Sequence, residues 1–255
     1  MYSKLRAIAR YTLLEYLRGR LILGGLALVV VMLGLEQLLD SVAISEARAT
    51  QASLAGSLAR PALVLLLASA VIVSHVREAG DRSRDWFLAT ALARPVWLGG
   101  RLLGHLGAAV LLSVLAWLCV APAAGAEPAL RWASGCGLEL ALTAVMASFL
   151  AMSLRHAPIA LLAFVSWYLL ARSMAALQLI AAAPLLADGG ATIGVLRAGL
   201  DLVAVLLPRL DLFAPSLWLE GHGDWAALAL PLGQALVYGA LLVTAAVVDL
   251  QRSEW

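Results

Sequence analysis

The chain has 255 residues, of which 63% are hydrophobic and only 13% are charged, and its formal net charge is +2. Soluble domains carry about 25% charged residues, and a single core in a chain of this length has no room for so much apolar surface. The composition excludes an ordinary soluble domain and predicts an all-α membrane protein, because helices satisfy their own backbone hydrogen bonds in lipid.

Residues 1–20 are predicted to form a basic amphipathic helix. Apolar residues recur at helical three-and-four spacing, and the arginines lie off this stripe. The stripe is Leu5, Ile8, Ala9, Leu13, Tyr16 and Leu17. Such a helix lies along a membrane surface, and the alternative is a plain juxtamembrane basic segment. No cleavage site of a secretory signal follows, so we expect no signal peptide.

Six stretches are long and apolar enough to cross a bilayer, which takes about 20 residues. They form one membrane domain, 21–249, with spans at about 21–40, 55–76, 100–122, 133–154, 157–180 and 226–248. A cytoplasmic tail, 250–255, follows.

Glycines recur on the faces of the first and third spans, in the pattern GGRLLGHLG and its counterpart in the first span. Such glycines allow close helix packing, either at a homodimer seam or within the chain. These glycines are Gly24, Gly25, Gly34, Gly100, Gly104 and Gly107.

The distribution of basic residues predicts the orientation. With the N-terminus in the cytoplasm, the outer side holds only Arg48, Arg60, Arg131, Arg172, Arg197 and Arg209 of the 18 Lys and Arg residues. Lys and Arg concentrate in cytoplasmic loops. We therefore expect both termini to be cytoplasmic and the protein to lie in a bacterial inner membrane.

A mixed-charge segment, 77–98, separates the second and third spans on the cytoplasmic side. Its apolar residues, Trp86, Phe87 and Leu88 first among them, recur at helical spacing after a charged stretch, and Pro95 ends the pattern. An exposed Trp–Phe pair ringed by charge is costly in water. The pattern favours a short docking helix for a soluble partner over a solvated hairpin.

The outer segment, 183–224, is too apolar for a free loop, and we expect an interfacial helix at about 191–207 within it. Four ionisable residues are the candidates for burial within the spans: Glu36, His105, Glu139 and Arg172. Charges in a span are expensive and often functional. Glu139 or Glu36 is expected to form an ion pair with Arg172, and the alternative is that the three line a substrate path. His105 is expected to hydrogen-bond a neighbour. No catalytic or metal-binding spacing occurs, so we predict no catalytic residue and no metal site.

This layout, with its short motifs, resembles ABC-2-type transporter permeases, most closely the subgroup associated with multi-copper enzyme maturation. Family members carry an acidic residue and a glycine after the second span, as Glu78 and Gly80 do here. They continue with a Pro-Val motif and a Gly-Arg or Gly-Lys that enters the third span, matched by Arg94-Pro95-Val96 and by Gly100–Gly104. The stretch LPRLDLF, 207–213, resembles the outer stretch before the last span. Trp97 and Leu98 stand where the family has Ser-Arg.

The resemblance implies a permease subunit of an ABC transporter that exports or extracts a substrate. Its energy would come from a separate ATPase, bound in two copies on the cytoplasmic side. The docking residues implied are Glu78, Gly80, Asp81, Arg84, Asp85, Trp86, Phe87, Leu88, Arg94 and Pro95. A second copy of this permease or a related one, membrane lipid and an accessory or periplasmic protein are further expected partners, whereas nucleic acid is not.

The sequence agrees with this division of labour. It has no G-x-x-x-x-G-K-[ST] motif and a single lysine, Lys4, so it has no Walker-type ATP site. We expect no enzyme activity and no cofactor in this chain, with ATP and Mg²⁺ held by the partner ATPase. The alternative is a six-span membrane assembly factor, or an intramembrane enzyme of unrecognised type.

Overall fold

The computed structural model describes residues 2–42, 47–81, 93–181 and 190–252. In these ranges most of the chain is helical, and none of it is in a strand. We number the α-helices in chain order: α1 (Tyr2–Arg18), α2 (Arg20–Val42), α3 (Ala47–Gly80), α4 (Arg94–Ala124), α5 (Ala126–Leu154), α6 (Ala157–Ala181), α7 (Gly190–Leu206) and α8 (Ala229–Arg252).

Six of these helices are long and apolar enough to cross a membrane. The candidate spans are Arg20–Leu38, Gln51–Gly80, Arg94–Ala124, Ala126–Leu154, Ala157–Ile180 and Trp225–Arg252. They fall on the six predicted stretches. The fold is therefore that of an all-α, multi-pass membrane protein, as the composition predicted.

Three helices begin several residues before the spans that the sequence predicted: α3 begins at Ala47 rather than at residue 55, and the other two share a physical reason. Helix α4 begins at Arg94 rather than at residue 100, and α5 begins at Ala126 rather than at residue 133. Each carries a proline, Pro95 or Pro128, in its first turn. Proline is well tolerated there because the first N–H groups of a helix have no partner within the helix. Pro95, which was predicted to end the helical pattern of segment 77–98, is thus part of α4.

Helix α1 packs along the first half of α4. Thr12 and Tyr16 are its buried residues, and Leu17 of the predicted apolar stripe is 44% exposed. The two backbones approach closely at the glycines of α4. A Cβ on Gly100 would lie 2.7 Å from the Ile8 Cβ, and a Cβ on Gly104 would overlap Thr12. Because these glycines face α1, they serve packing within the chain rather than a homodimer seam.

The main core runs through the middle of the bundle, and a second, smaller core lies at the end where α1 packs. Trp97 and Leu98, each 1% exposed, pack there with Met152 of α5 and with Ala246 and Leu250 of α8. Trp97 and Leu98 therefore anchor the start of α4 to the last helix.

A cap segment, residues 207–228, joins α7 to α8 and consists of irregular backbone with three 3-10 turns. It packs against α5 so tightly that a Cβ on Gly135 would overlap the Phe213 carbonyl oxygen. The bundle therefore has two distinct ends, which we call the α1 end and the cap end. The helix predicted at 191–207 is α7, Gly190–Leu206.

Candidate functional site

Five polar side chains meet where α1, the end of α3 and the start of α4 come together, and we call them the α1 cluster. Arg101 is at the centre, with a side chain only 1% exposed. Its Nη1 donates to Thr12 Oγ1 and to Glu15 Oε2, both at 3.1 Å. Its Nη2 donates to Ser74 Oγ at 2.7 Å and lies 3.0 Å from Glu78 Oε1. One buried guanidinium thus joins three helices.

A chain of aromatic polar groups continues from this cluster into the bundle. The Tyr16 hydroxyl lies 2.8 Å from His105 Nδ1, and His105 Nε2 lies 3.1 Å from His75 Nε2. Burial raises the pKa of Tyr16, an effect that the nearby Arg101 charge opposes, so the hydroxyl keeps its proton at neutral pH. With Tyr16 as the donor, His105 accepts at Nδ1 and donates from Nε2 to His75. His105 therefore hydrogen-bonds polar neighbours, as the sequence led us to expect.

A second group of charges, which we call the cap cluster, consists of Arg60, Glu139 and Arg172. The Arg60 Nε donates to Glu139 Oε2, and both side chains are almost fully buried. Arg60 also donates from Nη1 to the Ala214 carbonyl at 3.0 Å and from Nη2 to the Leu210 carbonyl. All three nitrogens of this guanidinium are therefore bound within the protein, and they hold the cap segment against α3 and α5.

Arg172 is held much less firmly. Its Nη1 lies 3.9 Å from Glu139 Oε1, close enough for an ion pair but too far for a hydrogen bond. Neither of these two atoms has a hydrogen-bond partner within the described ranges. The Arg172 side chain is 32% exposed and borders a cleft of about 340 Å³. The hydroxyl residues Ser57 and Ser216 and the acidic residue Asp211 line the same cleft.

The two clusters have opposite charge patterns. In the α1 cluster one guanidinium, Arg101, lies between the carboxylates of Glu15 and Glu78. In the cap cluster one carboxylate, Glu139, lies between the guanidiniums of Arg60 and Arg172. The α1 cluster therefore has a formal charge of −1, and the cap cluster has a formal charge of +1.

The predicted docking residues that the structure describes lie around the α1 end. Glu78 belongs to the α1 cluster, and Gly80 ends α3. Asp81 forms an exposed ion pair with Arg77 at 3.6 Å. Arg94 donates from Nη1 to the Leu250 carbonyl at 2.9 Å, and Pro95 lies in the first turn of α4. The other predicted docking residues, Arg84, Asp85, Trp86, Phe87 and Leu88, lie outside the described residues.

Of the three residues predicted to share a buried ion pair or a substrate path, two are brought together. Glu139 and Arg172 lie side by side, but the carboxylate of Glu139 is bound mainly by Arg60. Glu36 is buried on α2, and its Oε1 has no hydrogen-bond partner in the described part of the chain. The described ion pairs of Arg172 include Glu139 and not Glu36.

Three members of these buried networks were not predicted from the sequence: Arg60, Arg101 and Glu15. Arg60 was assigned to the outer flank although it lies inside the predicted second span, and a charge inside a span is the signal that it needs a partner. Arg101 was read only as part of a Gly-Arg motif. Glu15 gave no signal, since an acidic residue on a surface helix is ordinary.

Comparison with known proteins adds no family assignment: no protein-family model matches the sequence, and no curated protein matches it significantly. Among the described residues, no group of three or more His, Cys, Asp or Glu side chains is arranged to hold a metal ion. What the chain's own geometry defines is a multi-pass helical membrane protein with one buried charge cluster at each end.

Proposed function

We propose that this chain is the membrane-spanning permease subunit of an ABC transporter, which exports or extracts a substrate with energy from a separate ATPase. Six candidate spans, a separate N-terminal helix and a charged segment between the second and third spans support the proposal. They are the features on which the resemblance to ABC-2-type permeases rests. In this proposal the α1 end faces the bacterial cytoplasm and carries both termini.

The α1 cluster is the observation that carries the proposal. The segment 77–98 begins at the end of α3 and ends at the start of α4, and Arg101 ties both of these helix ends to α1 through Glu78 and Glu15. A force on the segment therefore reaches three helices at once, because a buried charge cannot leave its partners without a large desolvation cost. This is the connection that a soluble motor needs in order to tilt membrane helices.

The remaining partners follow from the proposal. Two ATPase subunits supply ATP and Mg²⁺ binding, and a second copy of this permease or a related one completes the transport path. This chain contributes no ATP site and no catalytic residue. Its own part is to receive the movement at segment 77–98 and pass it to the spans.

Association with an ATPase tests the proposal. The chain is co-expressed with any short Walker-motif ATPase that a neighbouring reading frame is found to encode, and co-purification and ATP hydrolysis in nanodiscs are measured. We expect the two to co-purify and hydrolysis to be stimulated. Trp86→Glu with Phe87→Glu is expected to abolish both effects, because charge replaces the apolar face of the predicted docking helix. Trp225→Glu, at an exposed tryptophan of the cap end, is the matched control.

Two results would contradict the proposal. One is a folded wild-type chain that binds no nucleotide hydrolase. The other is unchanged ATPase stimulation in the Trp86→Glu/Phe87→Glu variant, which would remove the docking assignment.

A further inference from the structure

The cleft at the cap end brings the Arg172 guanidinium together with Asp211 Oδ1, a carboxylate oxygen that has no hydrogen-bond partner among the described residues. Arg60 is not the available cation, since its three nitrogens are bound to Glu139 and to two carbonyls of the cap segment. Arg172 is available, because its Nη1 is beyond hydrogen-bond distance from Glu139 and its side chain borders the cleft.

The charges around the cleft leave one positive charge for a ligand. Arg60 offsets the charge of Glu139, and Arg209 offsets the charge of Asp211 through an ion pair of 3.1 Å. The guanidinium of Arg172 remains. A guanidinium binds a carboxylate or phosphate through two parallel hydrogen bonds, so the surplus charge selects an oxyanion.

The cleft also offers an acceptor for a donor group of the same ligand. Asp211 Oδ2 is bound by Arg209, while Asp211 Oδ1 is buried without a hydrogen-bond partner in the part of the chain that the structure describes. Leaving a buried carboxylate oxygen unpaired is costly, and a ligand hydroxyl or ammonium group would satisfy it. Ser57 and Ser216 line the same cleft and supply further hydroxyls.

We propose that this cleft binds an oxyanion that carries a hydroxyl or ammonium group beside it, with Arg172 holding the oxyanion and Asp211 accepting from the donor. The volume of about 340 Å³ lies within the range of small-molecule sites, about 300–1,000 Å³. A polyol phosphate has this chemistry, whether free in water or as the headgroup of a lipid. The inference rests on the proposed function only where it treats the ligand as cargo, since binding needs no ATPase.

Isothermal titration calorimetry of the purified full chain in phosphatidylcholine nanodiscs tests the proposal. The probes are glycerol phosphate, inorganic phosphate and glycerol. We expect glycerol phosphate to bind more tightly than inorganic phosphate, and glycerol not to bind. Arg172→Ala is expected to weaken binding of glycerol phosphate by about tenfold or more, through loss of the charge-assisted hydrogen bonds. Asp211→Asn is expected to reduce the preference for glycerol phosphate over inorganic phosphate.

Matched controls guard against misfolding and nonspecific charge effects. Arg197→Ala removes an arginine of α7 that does not line the cleft, and it is expected to leave binding unchanged. Ser216→Glu keeps Arg172 but adds a carboxylate at an exposed position of the cleft, and it is expected to abolish binding. Each variant is compared with the wild type by thermal unfolding, and only variants that unfold at wild-type temperature are titrated.

A lipid source is separated from a soluble one by repeating the titration with lysophosphatidylglycerol and lysophosphatidylcholine of equal chain length. If lysophosphatidylglycerol binds more tightly than both lysophosphatidylcholine and glycerol phosphate, the site is assigned to a lipid. Equal affinity for lysophosphatidylglycerol and glycerol phosphate assigns it to a soluble ligand. A wild-type chain that binds none of the anionic probes, or an Arg172→Ala variant that binds them as well as wild type, overturns the proposal. Either result leaves the ATPase test untouched.

Discussion

Arg60 and Arg172 have the same side chain and share a carboxylate, yet their environments give them different roles. Arg60 is 4% exposed and binds Glu139 and two backbone carbonyls, so it is a structural group. Arg172 is 32% exposed and lacks a hydrogen bond to Glu139, so it remains able to bind something else. The role of an arginine within a span is therefore defined by its hydrogen bonds and not by its charge alone.

This difference predicts unequal losses of stability. Arg60→Met leaves the buried Glu139 carboxylate and two cap carbonyls without their donor. We expect it to lower the free energy of unfolding by about 3–5 kcal/mol, the usual result of breaking a buried ion pair from one side. Arg172→Met is the matched variant, and it is expected to cost about 1 kcal/mol or less. Thermal unfolding in detergent, followed by circular dichroism, measures both.

A double variant gives the same prediction a stricter form. Glu139→Leu combined with Arg60→Met removes both buried charges, and it is expected to recover part of the stability lost in Arg60→Met alone. Equal losses in the two single arginine variants would show that Arg60 is not the stronger partner of Glu139.

At this scale the sequence predicted the neighbours Glu139 and Arg172 but not the main contact of Glu139. The reason is distance along the chain. The carbonyls of Leu210 and Ala214 lie 150 and 154 residues beyond Arg60, and backbone acceptors leave no mark in the sequence. A search limited to pairs of charged side chains therefore finds the pair and misses the group that fixes it.

At the scale of helices, the close packing of α1 on α4 depends on glycine. Alanine substitutions at the adjacent positions Gly99 and Gly100 test this dependence. Gly100→Ala places a methyl group 2.7 Å from the branched Ile8 Cβ and 3.2 Å from the Leu5 carbonyl oxygen. Gly99→Ala meets only the Leu5 Cδ1, at an ordinary 3.6 Å. We expect Gly100→Ala to lose about 1–3 kcal/mol of stability through overpacking. Gly99→Ala is expected to gain up to about 1 kcal/mol from helix propensity.

The readout for this pair is thermal unfolding together with disulfide cross-linking between cysteines placed on α1 and α4. Slower cross-linking in Gly100→Ala than in Gly99→Ala is the expected result, because the added methyl group pushes α1 away. If both alanine variants were equally stable and cross-linked at the same rate, close packing of α1 on α4 would be wrong.

The α1 cluster leads to a prediction about transmission between helices. Arg101→Met removes the cation that joins α1, α3 and α4 while leaving segment 77–98 intact. We expect the ATPase still to co-purify with the chain but its stimulation to fall at least about tenfold, because the ends of α3 and α4 no longer move with α1. Arg18→Met, at an exposed arginine of α1 outside the cluster and outside the docking residues, is the control. Full stimulation in Arg101→Met would exclude the cluster as the connection.

The six long helices were predictable from the sequence, because each is a run of apolar residues that only lipid or a core can accept. Their starting points were less predictable. Pro95 looks like a helix breaker in the sequence, but it lies in the first turn of α4, where proline is tolerated. The course of the cap segment was not predictable, since it depends on the contact of Phe213 with Gly135, two residues far apart in the chain.

At the scale of the whole molecule, the proposed orientation is open to a direct test. With Cys119 and Cys136 replaced by alanine, single cysteines are introduced at His222 in the cap segment and at Arg252 at the end of α8, both exposed positions. A membrane-impermeant maleimide added to intact cells is expected to label the first cysteine and not the second, because Lys and Arg concentrate on the cytoplasmic side. Labelling of only the second cysteine would reverse the orientation.

The position of Arg60 also has a consequence for how the protein is made. Its partner Glu139 is synthesised 79 residues later, and its carbonyl partners later still. At about 5–20 residues per second, the ribosome needs roughly 4–16 s to reach Glu139. Throughout that interval the nascent second span carries a cation without its final partners, and the long arginine side chain must reach towards water. Co-translational insertion of this span therefore requires that the Arg60 charge stay in contact with water or another polar group until the fourth span has been synthesised.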